Sequence, residues 1–236
     1  LGVLTVRKLI VHRGGKAVLH GVDLDIPPGQ ITALVGANGA GKSSTVMAIA
    51  GALPVNSGTI AVAGKELHNR RPETVRNAGV AVVPEGHHVL SDLTVLDNLR
   101  VAATRHASSD VSREIERVLA ILPELRAKLG APGRSLSGGQ KQMVSIAQAL
   151  VARPSYLLID ELSLGLAPAV VKRLADVVKD VAREGVGVLL IEQFTSLALS
   201  VSSLAFVLER GRIAFSGTAD ELSERPEILH SSYLAT

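Results

Sequence analysis

The sequence predicts an α/β fold, a mainly parallel sheet with helices on both faces. Three observations carry that reading. Short apolar runs of strand length, among them "QITALVG", "GVAVVPE", "SYLLID" and "VGVLLIE", alternate with stretches of helical period. The first of these runs leads straight into a glycine-rich loop and a helix. Of 236 residues, 47% are hydrophobic, enough to fill the core of one domain with a subdomain, or of two small domains.

In chain order, residues 3–11 ("VLTVRKLIV") and 17–26 ("AVLHGVDLDI") read as strands with polar residues interspersed, and 27–29 ("PPG") as a turn. "QITALVG" is a buried strand, 42–50 a helix, and 57–65 ("SGTIAVAGK") a turn and a further strand. Residues 79–85 form a short apolar strand closed by Pro84. From about 90 to 129 the pattern is helical ("TVLDNLRVAA", "SREIERVLAIL") with no clear strand, the mark of a helical subdomain inserted into the sheet's connectivity. Residues 138–152 read as a helix, "SYLLID" as a buried strand, and 168–184 as an amphipathic helix with Pro168 in its first turn. "VGVLLIE" is another buried strand, and 204–217 a hairpin turning at Arg210 and Gly211. "TADE" (218–221) is a capping box that opens a last helical region.

Composition narrows the function classes. The net charge is +3, with Lys and Arg spread along the chain, which argues for neither a nucleic-acid nor a membrane partner. Aromatics are 2% and Trp is absent, against the stacking platforms of a single-strand nucleic-acid groove. The absence of Cys excludes disulfides and thiolate metal sites and fits a reducing compartment. No apolar run approaches the ~18 residues of a membrane span. No charged-then-apolar leader opens the chain, so secretion is not expected.

"GANGAGKS" fits G-x-x-x-x-G-K-[ST] through Gly36, Gly41, Lys42 and Ser43, with a strand before it and a helix after it. Glycines let successive backbone N–H groups face phosphate oxygens, and the helix N-terminus adds partial positive charge. The candidate nucleotide-binding residues are Gly36, Asn38, Gly39, Ala40, Gly41, Lys42, Ser43 and Ser44. Lys42 reaches the β- and γ-phosphates, the Ser43 hydroxyl ligates Mg²⁺, and Ser44 adds a bond to the α-phosphate. The spacing does not fit the dinucleotide pattern G-x-G-x-x-G. "YLLIDE" ends in two carboxylates where a parallel strand opens on the ligand crevice. Asp160 is expected near the Mg²⁺, and Glu161 is expected to orient and deprotonate an attacking water.

A second glycine-rich stretch, "RSLSGGQKQ", lacks a phosphate lysine: its only lysine, Lys141, follows a glutamine. By itself it reads as a serine N-cap with a flexible glycine lead-in. Together, "LSGGQKQ", "GANGAGKSS" and "YLLIDE" resemble the ATP-binding subunits of ABC transporters, over essentially the whole chain. The resemblance implies the ABC ATPase type of P-loop NTPase fold. It has a mainly parallel core sheet, an N-terminal antiparallel β subdomain and an inserted helical subdomain. It implies one ABC domain over 1–236, with 1–85 and 153–236 as the core and β subdomain and 86–152 as the helical subdomain. It also implies that Ser137, Gly138, Gly139 and Gln140 bind the γ-phosphate of an ATP held by another subunit. Two subunits then sandwich two ATPs head to tail; binding closes the pair and hydrolysis reopens it.

Departures from the family pattern sharpen the match. Glu85 in "VVPEGHHVL" stands where the family commonly has a glutamine that senses Mg²⁺ and touches the membrane subunit. Gln193 in "IEQF" stands where a histidine contacts the γ-phosphate. With "ELSLGLAP", these features resemble one of the two ATPases of branched-chain amino acid importers. Leu162 replaces the usual proline after the glutamate. Arg13 in "VHRGG" takes the place of an adenine-stacking aromatic; a guanidinium plane also stacks, the alternatives being that His12 turns in or that nothing stacks, and weak purine discrimination is expected. Gln193 keeps a donor but loses the imidazole's charge, and Glu85 adds negative charge near the metal, so this half-site is expected to turn over more slowly than its mate. The implied cofactors are ATP and Mg²⁺. The implied partners are two membrane permease subunits, a second homologous ATPase (with a homodimer as the alternative) and a periplasmic or extracellular substrate-binding protein, with no nucleic acid. The implied place is peripheral, on the cytoplasmic face of the inner membrane. Rival readings are a lipid or lipopolysaccharide exporter subunit, a soluble ABC ATPase acting on DNA, and a module that holds ATP without hydrolysing it. About fifty residues between Glu85 and the signature loop, and no Cys, argue against the DNA reading. Intact Lys42, Asp160 and Glu161 argue against the last.

Overall fold

The computed structural model describes residues 2–104 and 106–229. Its first element pair is a hairpin, β1 (Leu4–Arg13) and β2 (Lys16–Ile26), closed by Gly14 and Gly15 at positive φ. β1 carries a bulge around Lys8 (φ 49°), where the buried positions step from Leu4 and Val6 to Leu9 and Val11. β1 also pairs antiparallel with β4 (Ser57–Val62), which pairs with the two-residue β5 (Lys65–Glu66). These four strands form one antiparallel sheet in the order β2-β1-β4-β5.

The second sheet has six strands. They are β3 (Ile31–Val35), β6 (Val80–Val83), β7 (Tyr156–Asp160), β8 (Gly187–Glu192), β9 (Leu204–Glu209) and β10 (Arg212–Thr218). Their order is β10-β9-β3-β8-β7-β6, with every pairing parallel except the β9–β10 hairpin. β3, β7 and β8 are buried along their whole length, as strands covered on both faces must be. Alternation still sorts their side chains: Leu157, Ile159, Val188 and Leu190 join one core, Leu158, Leu189 and Ile191 the opposite one.

Helices follow local signals. α1 (Lys42–Ile49) leaves the loop after β3. α2 (Pro72–Asn77) is a short turn with proline at its start. α3 (Val95–Ala102) is capped by Thr94, whose hydroxyl accepts from the Asp97 N–H at 3.1 Å. It and α4 (Ser108–Ile121) lie between β6 and α5 (Gly138–Val151), where the sequence predicts the insertion. α5 shares one core with both: Val144, Ile146 and Leu150 pack with Leu99 and Leu119 and with Leu157 and Ile159 of β7. α6 (Pro168–Arg183) covers the same side through Leu174, Val177, Val178 and Val181. α7 (Thr195–Val201) and α8 (Ala219–Ser223) close a third small core against β3 and β9; α8 opens with the Thr218–Glu221 capping box.

Candidate active site

Register alone brings the predicted residues to one edge. Val35 at the end of β3 pairs with Glu192 of β8, Ile191 pairs with Asp160 of β7, and Val83 of β6 pairs with Ile159. Gly36, Gln193, Glu161 and Glu85 therefore leave their strands nearly level, at the carboxyl end of the sheet.

The loop after β3 is pinned by close packing. A Cβ on Gly36 would meet the Leu208 carbonyl oxygen at 2.1 Å, so only glycine fits there. Gly41 sits at φ 112°, and a Cβ on it would meet Leu19 at 2.7 Å, which places β2 against the loop. The Gly211 N–H donates to the Ala40 carbonyl at 2.8 Å, and the Ala40 N–H to Ala37 at 3.1 Å. Asn38 and Gly39 form the exposed tip; Ser44 is buried and Ser43 half-buried. No side chain caps α1, so its first amides keep their donors for an anion. Lys42 is buried, and its Nζ donates to the carbonyls of Gly36 (2.7 Å) and Ala37 (3.0 Å). Burial lowers its proton affinity, and the charges of Glu161 and Asp160 oppose that.

The carboxylates show the converse. Burial raises the Asp160 pKa; the Ser43 hydroxyl and Lys42 pull it down, and the Glu85 charge pushes it up. Glu161 is raised by burial and then by Glu85, with Lys42 opposing. Asp160 Oδ1 is buried with no hydrogen-bond partner, an oxygen suited to a cation. Among the described residues, no group of three or more His, Asp or Glu is arranged to hold a metal ion by itself. Ser43, Asp160 and Glu85 line one cavity of about 670 Å³, with Val46, Met47, Val75 and Ala149 supplying apolar walls. Gln193 is half-buried one residue beyond β8. Arg13 is exposed at the tip of the β1–β2 hairpin, opposite Lys16.

The second glycine loop is built differently. Ser137 caps α5: its hydroxyl accepts from the Gln140 N–H at 3.3 Å, while Gln140 Oε1 accepts from the Ser137 N–H at 3.0 Å. Ser137 and Gly138 are exposed. A Cβ on Gly139 would meet Val170 at 2.8 Å. None of residues 137–140 lines the cavity that holds Ser43 and Asp160.

Three features escape the sequence reading. Leu162 is fully buried in the core shared by α5 and α6, so it anchors the turn after Glu161 by packing. Glu192 is fully buried and bonded to Ser163. His87 Nδ1 lies 2.7 Å from Gln142 Oε1, linking the Glu85 loop to α5. An apolar strand ending in a carboxylate, "VLLIE", repeats the pattern of "YLLID" and was the available signal for Glu192; the other two depend on distant partners.

Comparison with known proteins agrees with this geometry. The family model described as "ABC transporter" matches residues 19–163. The chain is 37% identical to the high-affinity branched-chain amino acid transport ATP-binding protein BraG of Pseudomonas aeruginosa, over 96% of this chain and 97% of that protein. It is 38% identical to the probable branched-chain amino acid transport ATP-binding protein LivF of Archaeoglobus fulgidus, over 88% of each. Among solved structures, an ATP-binding cassette of an ABC transporter in its ADP conformation superposes with a TM-score of 0.88 over 98% of both chains at 23% identity, a likeness of fold.

Proposed function

This chain belongs to the ABC transporter family, and from that premise we propose that it is the motor subunit of an importer for branched-chain or related amino acids. It is a nucleotide-binding ATPase that serves membrane permeases from the membrane's periphery. No helix among the described residues is long and apolar enough to cross a membrane. The substrate class rests on the likeness to BraG and LivF. The observation that carries the reading is the meeting of the Gly36–Ser44 loop, Asp160, Glu161 and Gln193 at one sheet edge, with the Ser137 loop opening elsewhere.

In this reading the loop amides and Lys42 hold the phosphates of ATP, with Ser44 on the α-phosphate and Arg13 stacked on the base. Ser43, Asp160 and Glu85 would hold Mg²⁺, which would supply positive charge to the phosphate oxygens. Glu161 orients the attacking water and takes its proton, a role its raised proton affinity fits. Gln193 donates to the γ-phosphate. The Ser137 hydroxyl spends a lone pair on the Gln140 N–H and keeps its proton to donate. That proton, the amides of Gly138 and Gly139, and Gln140 serve the ATP of a facing, homologous ATPase. The loop around Glu85 and the helical segment after it, roughly residues 84–99, meet a permease subunit, and a substrate-binding protein on the far side supplies the amino acid. The chain then lies on the cytoplasmic face, as one domain with 86–152 as its helical subdomain.

The test is reconstitution of the chain with its permeases and mate in vesicles. MgATP-driven leucine, isoleucine or valine uptake, with ATPase activity stimulated by the loaded binding protein, is expected. No amino-acid stimulation, with stimulation instead by a lipid or lipopolysaccharide, overturns the substrate assignment.

A further inference from the structure

Glu192 is a carboxylate that the hydrolytic scheme leaves unused. Its side chain has 0% exposure at the end of β8, and both oxygens are taken by one residue. The Ser163 N–H donates to Oε1 at 2.9 Å, and the Ser163 hydroxyl to Oε2 at 2.8 Å. Ser163 is itself buried. Burying a carboxylate is costly even when its oxygens are satisfied, and an apolar pair fills such space more cheaply. The buried pair therefore points to a task other than packing.

That task lies two residues upstream. Glu161 has φ 61°, the left-handed region, which costs a non-glycine residue about 1–3 kcal/mol and persists only where neighbours hold it. Beside a long 3.5 Å hydrogen bond from Gln142 Nε2 to the Glu161 carbonyl, three holds are present among the described residues. The Glu161 N–H donates to the Ile191 carbonyl at 3.0 Å, Leu162 is locked in the core, and Ser163 is gripped by Glu192. Ile191 and Glu192 are consecutive in β8, so one strand end holds the turn at its start and at its finish. The same strand end carries Gln193.

We propose that Glu192 is a positioning residue for hydrolysis: through Ser163 it fixes the 161–163 turn so that the Glu161 carboxylate faces the nucleotide site. The inference rests on Glu161 being the residue that activates water. Glu192 touches no substrate; it sets kcat through the direction of Glu161. Nucleotide affinity, which depends on the Gly36–Ser44 loop, stays out of its reach.

Steady-state hydrolysis and MgATP titration on the full chain, assembled with its partners, separate these effects. Glu192→Ala is expected to lower kcat about 10- to 100-fold, as a small misplacement of a reacting group does, with MgATP affinity within about twofold. Glu192→Gln is expected to recover most of that loss, because its amide oxygen accepts from the Ser163 N–H while its NH₂ donates to a turned hydroxyl. Ser163→Ala keeps the backbone bond and is expected to cost about three- to tenfold. The double variant Glu192→Ala/Ser163→Ala is expected to be no worse than Glu192→Ala alone, since both act through one link. The proposal is overturned by Glu192→Ala at wild-type kcat, by Glu192→Gln as damaged as Glu192→Ala, or by multiplying losses in the double variant. If Glu192→Ala does not fold, Ser163→Ala decides: a kcat loss at unchanged affinity supports the link, and wild-type kcat overturns it. Glu161→Gln runs alongside. Wild-type hydrolysis by that variant overturns the role of Glu161 and this proposal with it; lost hydrolysis there beside intact Glu192→Ala overturns only this proposal.

Discussion

The two glycine-rich loops that lead into helices both pack a glycine closely, but they differ in charge and in what they leave exposed. In residues 36–44 glycine permits contact: Gly36 lies against the Leu208 carbonyl and Gly41 against Leu19, so the loop is clamped around a buried lysine and faces the buried Asp160 and the half-buried Glu161. In residues 137–140 Gly139 packs closely on Val170, but Ser137 and Gly138 are exposed, and the loop is stiffened by its own capping box rather than by charge. The first loop is equipped to hold a polyanion within its own chain. The second is an uncharged donor edge that, in the proposed reading, completes a site outside the chain. Sequence similarity between two phosphate-type loops therefore says little about whose phosphate each one meets.

The strongest way to break this contrast is at Lys42. Lys42→Ala is expected to lower hydrolysis by about 10³-fold or more and to weaken MgATP binding by the chain alone. A variant that binds and hydrolyses normally would remove the first loop from the chemistry. Ser137→Arg is the matching change in the second loop. It is expected to lower hydrolysis by the assembled pair on the order of 10²-fold, while a single chain still binds MgATP within about twofold. Equal losses of binding and hydrolysis would show that both loops serve one site in one chain.

Smaller effects concern charge. Burial pushes up the Asp160 and Glu161 carboxyls, so each lowers stability at neutral pH; the penalty fades as pH falls through the folded-state pKa. Glu114 on α4 behaves oppositely. Burial would raise it, but Arg153 and Arg117 outweigh burial and hold it below the usual carboxylate range. Its contribution is present above the unfolded-state pKa and is lost as pH falls through the lowered folded value. Glu114→Gln is therefore expected to lower Tm by about 2–4 °C at pH 7, with the difference vanishing once pH falls below the lowered folded-state value. Asp160→Asn is expected to raise Tm at pH 7 and to have less effect as pH falls toward the ordinary aspartate value of about 4. Parallel shifts across pH in thermal melts of both variants would contradict these assignments.

The smallest expected effect is at the hairpin tip: Arg13→Tyr sharpens the preference for ATP over GTP in competition titrations. A strong native preference that the change leaves untouched would take Arg13 out of base recognition.

The parts legible in the sequence are those whose causes are local. The glycine loop, the alternation of "YLLID", Pro168 and the "TADE" cap each announce their element, and β7, α6 and α8 stand where those signals put them. α2 opens on Pro72, the same kind of signal as Pro168, and α7 has none; both are too short to show a helical period. They are six and seven residues long, no side chain caps either, and tertiary packing of Val75 and Ala198 holds them. β1 runs two residues past its apolar pattern because the Gly14–Gly15 turn, not hydrophobicity, ends it. In the site, residue types and strand ends were readable, but the hold on Glu161 was not. It joins Ser163 to Glu192 across 29 residues, a pairing that only the β7–β8 register creates. Leu162, an oddity beside a family pattern, becomes an anchor once its burial is seen.

The central claim is that the Ser137 loop completes an ATP site on another subunit. Its most direct test is sedimentation of the Glu161→Gln chain with and without MgATP, alone and with its homologous mate, and again with Ser137→Arg added. The account predicts a two-subunit species that needs MgATP, formed in at least one mixture and lost with Ser137→Arg although that chain still binds ATP. No ATP-dependent assembly in either mixture, or assembly that survives Ser137→Arg, would contradict it.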